Sequence, residues 1–322
     1  MSAPGGIAIA GATGLVGSAL AASYANEGVK ISALVRDPAR AARVLPQATL
    51  HAWDGTQGPP PEAVFQGVEV VVNLMGAPIA GGRWTEARKK LLRDSRVVTT
   101  RALVDAMRGL AQPPQVLVSA SGTGYYGDRG DEILTEASAV GEGFLAELAR
   151  DWEAEALKAR EIGLRVVLLR SGVVLSRRGG ILRKLLLPFR LGVGGRAGTG
   201  GQWLPWIHIE DEVNLIRHAI GRPEVAGPLN AVAPEPVTNA EFGRVLADTI
   251  GRPAALRAPA FALRVALGSM ADDVLLASQR AMPVRTLESG FVFRHPLLRA
   301  ALGDVLAKRP RDEPAAATSG AS

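Results

Sequence analysis

The feature that most constrains the fold is a glycine-rich turn near the N-terminus, in which glycines stand at positions 11, 14 and 17. A short apolar run precedes this turn and an alanine-rich helical pattern follows it, so the turn joins a strand to a helix. In such a setting the first glycine permits a tight turn, the second lets the backbone approach a pyrophosphate, and the third allows close helix–strand packing. The free N–H groups at the helix N-terminus attract phosphate. The pattern therefore predicts a dinucleotide site, with a purely structural turn as the alternative.

The first half of the chain alternates short β-branched runs with longer helical patterns. Strands are predicted at residues 7–10, 29–35, 49–53, 68–74, 115–121 and 165–169, and helices at residues 15–27, 84–107 and 142–160. Alternation of this kind indicates parallel βαβ units. The predicted fold class is therefore α/β, a Rossmann-type doubly wound parallel sheet followed by a smaller, mostly helical C-terminal domain.

The pattern divides the chain into three parts. Residues 1–174 are predicted to form the dinucleotide-binding Rossmann domain, completed by a strand near 228–232 that returns to its sheet. Residues 175–309, in which helical patterns are separated by Pro and Gly, are predicted to form the substrate domain. Residues 310–322 are rich in Ala, Ser and Pro without periodicity, and this composition predicts a disordered tail.

Basic charge is concentrated in one segment. The chain has 37 Lys and Arg against 31 Asp and Glu, a net charge of +6. Between Arg83 and Arg101 seven basic residues face only Glu86 and Asp94, a local excess of +5. One basic helix without a helix-turn-helix, zinc-finger or base-stacking pattern suits a phosphate-bearing small ligand better than a nucleic acid, so no nucleic-acid partner is expected.

Composition excludes several other classes of site. Cysteine is absent, which removes disulfides, thiolate nucleophiles and thiolate metal sites. No two of the four histidines have metal-ligand spacing, so no metal site is expected. No uncharged apolar run approaches the roughly 18 residues of a membrane helix, and no secretory signal is visible. We therefore expect a cytoplasmic protein that does not contact membranes.

The end of the second predicted strand bears on cofactor choice. An NAD site places a carboxylate at this strand tip for the ribose diol. Here Arg36 comes first, and its guanidinium matches a 2′-phosphate, which favours NADP. The alternative is that Asp37 binds the ribose and Arg36 is an ordinary surface residue. Asp54, at the end of the third strand, is expected near the adenine.

Seven motifs occur in an order that is similar to one known family. They are GATGLVG at 11–17, VVNLMG at 71–76, RW at 83–84, DSR at 94–96, SASGTGYYG at 119–127, LRSGVVL at 169–175 and WIHIED at 206–211. Together they resemble the extended short-chain dehydrogenase/reductase superfamily, in its NAD-dependent epimerase/dehydratase division. More narrowly they resemble an atypical branch of sugar-nucleotide epimerases, also labelled cell-division-inhibitor-like. The resemblance covers residues 6 to about 305.

The resemblance implies where the cofactor lies. In such proteins the turn at residues 73–76 lines the nicotinamide ribose, and an arginine like Arg96 approaches the cofactor from the basic helix. Together with the strand-tip residues, this gives the predicted cofactor-binding set: Gly11, Thr13, Gly14, Leu15, Val16, Gly17, Arg36, Asp54, Leu74, Met75, Gly76, Arg96 and Ser119.

The chain departs from this superfamily at its catalytic centre. Active members use a Tyr-x-x-x-Lys pair, because a nearby lysine must lower the tyrosine pKa for acid–base work near neutral pH. The three tyrosines at 24, 125 and 126 have no lysine four residues later, and the matching helical segment, 144–148, is apolar at both positions. Ser121 and Tyr126 match other family positions and become the candidate catalytic residues.

Three more polar residues, Glu136, His208 and Asp211, are predicted near the cleft mouth, although His208 suits a hydrogen-bonded core histidine better and Asp211 a helix start. Two functions stay open. The first is an NADP-dependent oxidoreductase or epimerase acting on a small carbonyl, hydroxyl or nucleotide-sugar-like substrate. The second is a non-catalytic NADP(H)-binding redox sensor or scaffold. Members of the superfamily often dimerise through helices beside the sheet, so a homodimer is a further expectation.

Overall fold

The computed structural model describes residues 3–254 and 256–307. Within them, a seven-stranded sheet has the order β12-β7-β5-β4-β1-β2-β3 and every pairing in it is parallel. The strands of the described residues are β1 (Gly6–Ala10), β2 (Lys30–Val35), β3 (Thr49–Ala52), β4 (Val70–Asn73), β5 (Val116–Gly122), β6 (Ile133–Leu134), β7 (Arg165–Ser171), β8 (Val173–Leu175), β9 (Gly195–Ala197), β10 (Trp203–Leu204), β11 (Trp206–His208), β12 (Gly227–Ala231), β13 (Val237–Thr238), β14 (Leu256–Ala258) and β15 (Arg280–Ala281).

Helices cover both faces of this sheet and fill the C-terminal part. They are α1 (Leu15–Ser23), α2 (Pro38–Ala41), α3 (Glu86–Arg93), α4 (Thr99–Arg108), α5 (Phe144–Leu157), α6 (Gly180–Arg190), α7 (Ile209–Gly221), α8 (Asn239–Thr249), α9 (Ala260–Leu267), α10 (Val284–Glu288) and α11 (Leu298–Leu306). None of the helices in the described parts of the chain is long and apolar enough to cross a membrane.

Two cores lie on opposite faces of the sheet. On one face α1 and α7 pack over Ile7, Ile9 and Val72, and on the other α4 and α5 pack over Ala8, Val71 and their neighbours. Because both faces are covered, the central strands are buried along their whole length, which is why their sequences are almost continuously apolar. The α/β doubly wound fold is thus confirmed.

The basic segment forms two α-helices that are joined by a π-helical turn. Sequence periodicity predicted one helix over residues 84–107. The structure instead interrupts it, since a π-helical turn, Asp94–Val98, lies between α3 and α4. Such single π turns are often found at functional sites, because they redirect the side chains that they carry. This one carries Arg96.

The C-terminal part packs a third core against the end of the sheet. Helices α6, α8 and α11 enclose Leu182, Phe189, Trp206, Phe242 and Leu302. Strand β12 returns from this part to pair with β7 at the edge of the main sheet. The predicted tail, residues 310–322, lies outside the described residues.

Candidate functional site

Two glycines of the turn, Gly11 and Gly17, are required by close packing, and the third, Gly14, leaves the N-terminus of α1 accessible. Gly11 has φ +80°, and a Cβ there would lie 2.7 Å from the Leu74 carbonyl oxygen. A Cβ on Gly17 would lie 2.4 Å from the Gly11 oxygen, so strand and helix pack in close contact. Gly14 has an ordinary φ of −71° and caps α1 without a side-chain hydrogen bond. The first N–H groups of α1 are therefore open to a ligand, beside the exposed Thr13.

The two charged residues after β2 have separate roles. Asp37 caps α2, because its carboxylate accepts a hydrogen bond from the Arg40 N–H at 3.0 Å. Arg36 is exposed, and in residues 3–254 and 256–307 it has no hydrogen bond or ion pair. The structure thus uses Asp37 for local capping and leaves the Arg36 guanidinium available.

Asp54 organises the turn after β3. Its carboxylate accepts hydrogen bonds from the N–H groups of Thr56 at 2.8 Å and Gln57 at 3.0 Å, and these bonds lower the pKa of Asp54. The side chain is solvent-exposed at the end of a strand adjacent to β2. Asp54 therefore lies at the same edge of the sheet as Arg36.

Arg96 is a buried cation without a carboxylate partner among the described residues. Its guanidinium donates to the carbonyl oxygens of Leu92 at 3.1 Å and Ala77 at 3.0 Å, and it lies 5.3 Å from the Trp152 ring. A Cβ on Gly76 would lie 2.9 Å from its Cζ, so the side chain covers the turn after β4. Burial lowers the pKa of Arg96 to about 10, which still leaves it charged at neutral pH.

The other predicted cofactor residues lie around this turn or below it. Leu74 and Met75 pack partly onto the two cores, and the Met75 N–H donates to the Asn73 side chain at 3.3 Å. Ser119 is fully buried within β5, and among the described residues its hydroxyl makes only a long hydrogen bond, 3.4 Å, to the Ala120 carbonyl. Ser119 is absent from the wall of the cavity described next.

A cavity of about 530 Å³ opens at the carboxyl ends of β5 and β7. It begins beside the glycine turn, where Leu15 forms part of its wall, and it extends between α5, α6 and the segments around Trp203 and Val274. Ser121 and Ser171 reach its wall from the two strand ends. Ligands of open parallel α/β sheets bind in this position.

Ser121 is supported by a buried ion pair. Its hydroxyl donates to Glu153 Oε1 at 2.7 Å, and the Arg170 guanidinium binds both oxygens of Glu153 at 2.8 Å. All three side chains are buried. The Ser121 proton therefore points towards Glu153, and the Ser121 oxygen can accept a hydrogen bond from a group in the cavity.

Tyr126 does not line the cavity. It lies in a 3₁₀ turn, Thr123–Tyr126, with a fully buried side chain whose hydroxyl donates to Asn230 Oδ1 at 2.6 Å. Arg170 donates to the same hydroxyl at 3.1 Å, and burial raises the pKa of Tyr126 to about 12. Tyr126 therefore links the turn after β5 to β12 through its hydrogen bond to Asn230. We do not propose it as the proton donor to a substrate.

The residues predicted at the cleft mouth also hold the fold together. Glu136 accepts the N–H groups of Asn230 at 3.0 Å and Arg285 at 3.2 Å. The Asp211 carboxylate accepts the N–H groups of residues 294 and 295 at 2.8 and 2.9 Å. None of these side chains lines the cavity.

His208 belongs to a histidine pair that its sequence spacing conceals. Its ring lies 3.7 Å from the His295 ring, and one nitrogen or oxygen atom from each of His208, Glu210 and His295 lies within 4.8 Å of the others. However, His208 Nδ1 accepts the Glu210 N–H, which places the single proton of a neutral imidazole on Nε2. That protonated nitrogen has no lone pair for a metal. The sequence spacing of the histidines gave no indication of the contact between His208 and His295.

Sequence analysis missed a second serine–carboxyl pair. The Ser171 hydroxyl donates to Glu212 Oε1 at 2.6 Å, and Glu212 Oε2 has no partner among the described residues. Burial raises the pKa of Glu212 to about 7. In the sequence Glu212 closes an acidic triplet at the start of a helix, which is typical of a solvated first turn, so only the motif residue Ser171 could have drawn attention to it.

Comparison with known proteins now decides the family. The profile of the NAD dependent epimerase/dehydratase family matches residues 7–232. The chain belongs to that family. A second profile, Domain of unknown function (DUF1731), matches residues 258–305 of this family member.

Several relatives cover nearly the whole chain. Epimerase family protein MT2273 of Mycobacterium tuberculosis is 42% identical over 300 residues, 92% of this chain and 96% of the relative. The human epimerase family protein SDR39U1, solved with NADPH, has a TM-score of 0.83 at 34% identity, covering 93% of this chain and 98% of the other. A nucleoside-diphosphate sugar epimerase from Corynebacterium glutamicum has a TM-score of 0.74 at 35% identity, with coverages of 95% and 59%.

Proposed function

We propose that this epimerase-family protein binds NADP(H) along the glycine turn and catalyses hydride transfer with a small carbonyl or hydroxyl substrate in the adjoining cavity. The observation that carries the proposal is that the glycine turn and the cavity adjoin each other. Leu15 opens the phosphate-binding helix and also forms part of the wall that Ser121 and Ser171 reach. A nicotinamide extending from the turn would therefore lie next to both hydroxyls.

The residues present fit an anionic dinucleotide. The N-terminus of α1 has no side-chain cap, and the buried Arg96 lacks a counter-charge among the described side chains. Both features favour phosphate, because a buried cation is costly unless an anion pairs with it. Arg36 and Asp54 lie where the adenosine end would be. The human relative solved with NADPH supports this assignment.

Arg36 should give a preference for NADP(H). A charge-assisted contact with the 2′-phosphate is worth about 1.5–3 kcal/mol, or roughly a ten- to hundredfold lower Kd than for NAD(H). Titration of both cofactors should show this difference in the parent protein, and Arg36→Ala should remove it. Arg40→Ala, at an exposed arginine on α2, is the matched control and should keep the preference. Equal affinities for the two cofactors in the parent protein would show that Arg36 does not select.

NADPH, when bound, supplies the hydride, and the protein must place the substrate oxygen. The Ser121 hydroxyl donates to Glu153, so its oxygen can accept a hydrogen bond from a substrate hydroxyl. When Glu212 is protonated, its O–H can donate to the Ser171 oxygen. The hydroxyl proton of Ser171 is then free to be donated to a substrate carbonyl. The two serines together can hold one oxygen in both oxidation states.

Optical measurement of NADPH oxidation with a panel of carbonyl compounds tests the proposal. We expect slow turnover in the parent protein, and roughly a hundredfold slower turnover in Ser121→Ala with unchanged affinity for NADPH. Ser138→Ala, which alters a turn whose residues do not line the cavity, should leave turnover unchanged.

One observation favours the non-catalytic alternative. The segment of α5 that matches the missing Tyr-x-x-x-Lys pair presents Leu145 and Leu148 to the cavity. Tight NADPH binding without oxidation by any substrate would support a redox sensor instead of an enzyme.

A further inference from the structure

The wall of the cavity beyond the cofactor end is almost entirely apolar. Each surrounding element contributes hydrophobic side chains: Ile79 after β4, Leu145, Leu148, Ala149 and Trp152 from α5, Val173 and Val174 from β8, Ile181 from α6, and Leu204, Pro205 and Val274 from the C-terminal part. Most of these residues belong to or pack on established cores, so they hold their positions without a ligand. The apolar surface is thus a preformed part of the site.

Among the described residues, three charged side chains line this wall, and their positions do not suit the binding of a diphosphate. Arg96 covers Gly76, at the turn assigned to the cofactor. The Lys184 ammonium, exposed at the mouth, donates to the Ala80 carbonyl. Asp273 is negative when ionised and would repel phosphate, and burial raises its pKa. No second buried cation therefore remains for a nucleotide substrate.

Neutral side chains that can form hydrogen bonds are concentrated at one end of the cavity, with one exception. Ser121, Thr123 and Ser171 lie at the strand ends, and Gln279 stands alone among the hydrophobic residues of the C-terminal part. A sugar carries a hydroxyl on nearly every carbon, and each hydroxyl buried without a partner costs binding free energy. A molecule with one oxygen at the serine end and a hydrocarbon body would leave no such group unpaired.

We infer that the substrate of this site is an uncharged, apolar carbonyl compound or the corresponding alcohol, with a branched or aromatic body, and that it is not a nucleotide sugar. The inference rests on the proposed function for the position of the nicotinamide. In the reduction, hydride from NADPH forms the new C–H bond as the C=O π bond breaks, and the carbonyl oxygen takes the Ser171 proton, which the neutral Glu212 carboxyl replaces. NADP⁺ then leaves, and water returns a proton to Glu212. The carbonyl lies against Ser121 and Ser171, and the hydrocarbon body lies between α5 and β8.

Calorimetric titration of the NADPH-saturated protein tests this substrate class. The probes are propiophenone and cinnamaldehyde on one side and UDP-glucose and UDP-glucuronic acid on the other. We expect binding of the apolar probes with a negative heat-capacity change, which is the mark of buried apolar surface, and no binding of the UDP-sugars. Binding of a UDP-sugar in the cavity, or no binding of either apolar probe, would overturn the inference.

Substitutions in the cavity wall test whether the apolar probes bind there. Leu145→Gln puts an amide on the wall, and Val174→Thr replaces a methyl group with a hydroxyl at the same shape, so at least the second should fold normally. We expect about tenfold weaker binding of propiophenone in Leu145→Gln and a smaller loss in Val174→Thr. Leu187→Gln, at a side chain 64% exposed on α6, is the control and should bind as the parent does. Equal binding in all three variants would place the probes elsewhere.

The same titrations separate this inference from the proposed function. If the protein fails to bind NADPH, the proposed function fails, and titration of the cofactor-free protein still reports whether the cavity prefers apolar probes. If NADPH binds and the UDP-sugars bind in place of the apolar probes, the cofactor assignment stands and the substrate class is wrong.

Discussion

Gly14→Val should abolish NADPH binding while the protein stays folded. Gly14 has an ordinary φ of −71°, so the backbone tolerates a side chain. Its Cβ would meet only the Gly11 oxygen at 3.1 Å, but the valine methyl groups would project over the N-terminus of α1, where the phosphates must approach. Losing two charge-assisted contacts of about 1.5–3 kcal/mol each predicts at least a hundredfold higher Kd. Fluorescence titration with NADPH measures the loss, and circular dichroism checks the fold.

Two neighbouring substitutions make this result specific. Gly14→Ala adds a single methyl group and should weaken binding much less than valine does. Gly17→Val should instead unfold the protein, because even its Cβ would lie 2.4 Å from the Gly11 oxygen. Normal NADPH affinity in folded Gly14→Val would show that the phosphates lie elsewhere.

Glu212→Gln should flatten the dependence of stability on pH. Burial raises the pKa of Glu212 from 4.5 to about 7, so the folded state holds a proton that the unfolded state releases. The stabilisation from this proton is fully present below the unfolded pKa and is lost as the pH rises through about 7. The difference of some 2.5 pKa units corresponds to roughly 3 kcal/mol, an upper value, lost between pH 4.5 and pH 8.

Urea unfolding at several pH values measures this effect. Glutamine has the shape of the protonated carboxyl and can still accept the Ser171 hydroxyl, so the variant should match the parent near pH 5 and exceed it in stability near pH 8. Glu132→Gln, at an exposed residue of a surface ion pair, controls for the loss of one charge and should follow the parent. Parallel pH profiles for the parent and Glu212→Gln would mean that Glu212 is ionised in the folded protein.

The sheet and the glycine turn could be predicted because local patterns determine them. A nearly continuous apolar run such as residues 68–74 is typical of a strand buried on both faces, and three spaced glycines between strand and helix have few other uses. Arg36 and Asp37 were harder to separate by sequence, since both are polar residues at one strand tip. The structure separates their roles because Asp37 caps α2.

The chemistry of the cavity could be predicted only in part, because it depends on which way side chains point and on residues distant in sequence. Ser121 and Tyr126 are five positions apart in one motif, yet a 3₁₀ turn sends the tyrosine into the protein interior. Glu212 meets Ser171 across 41 residues of sequence, and no periodicity reports that contact. Likewise the stacked His208 and His295 meet only through the tertiary fold.

The position of β12 at the edge of the main sheet has a consequence for how the chain folds during synthesis. Strand β12, which carries Asn230, is the last strand of the main sheet to leave the ribosome, after most of the cavity wall has been made. Until then the outer edge of β7 is an open strand edge, and such edges pair readily with other chains. The emerging protein therefore passes through a stage in which completion of its sheet must compete with aggregation.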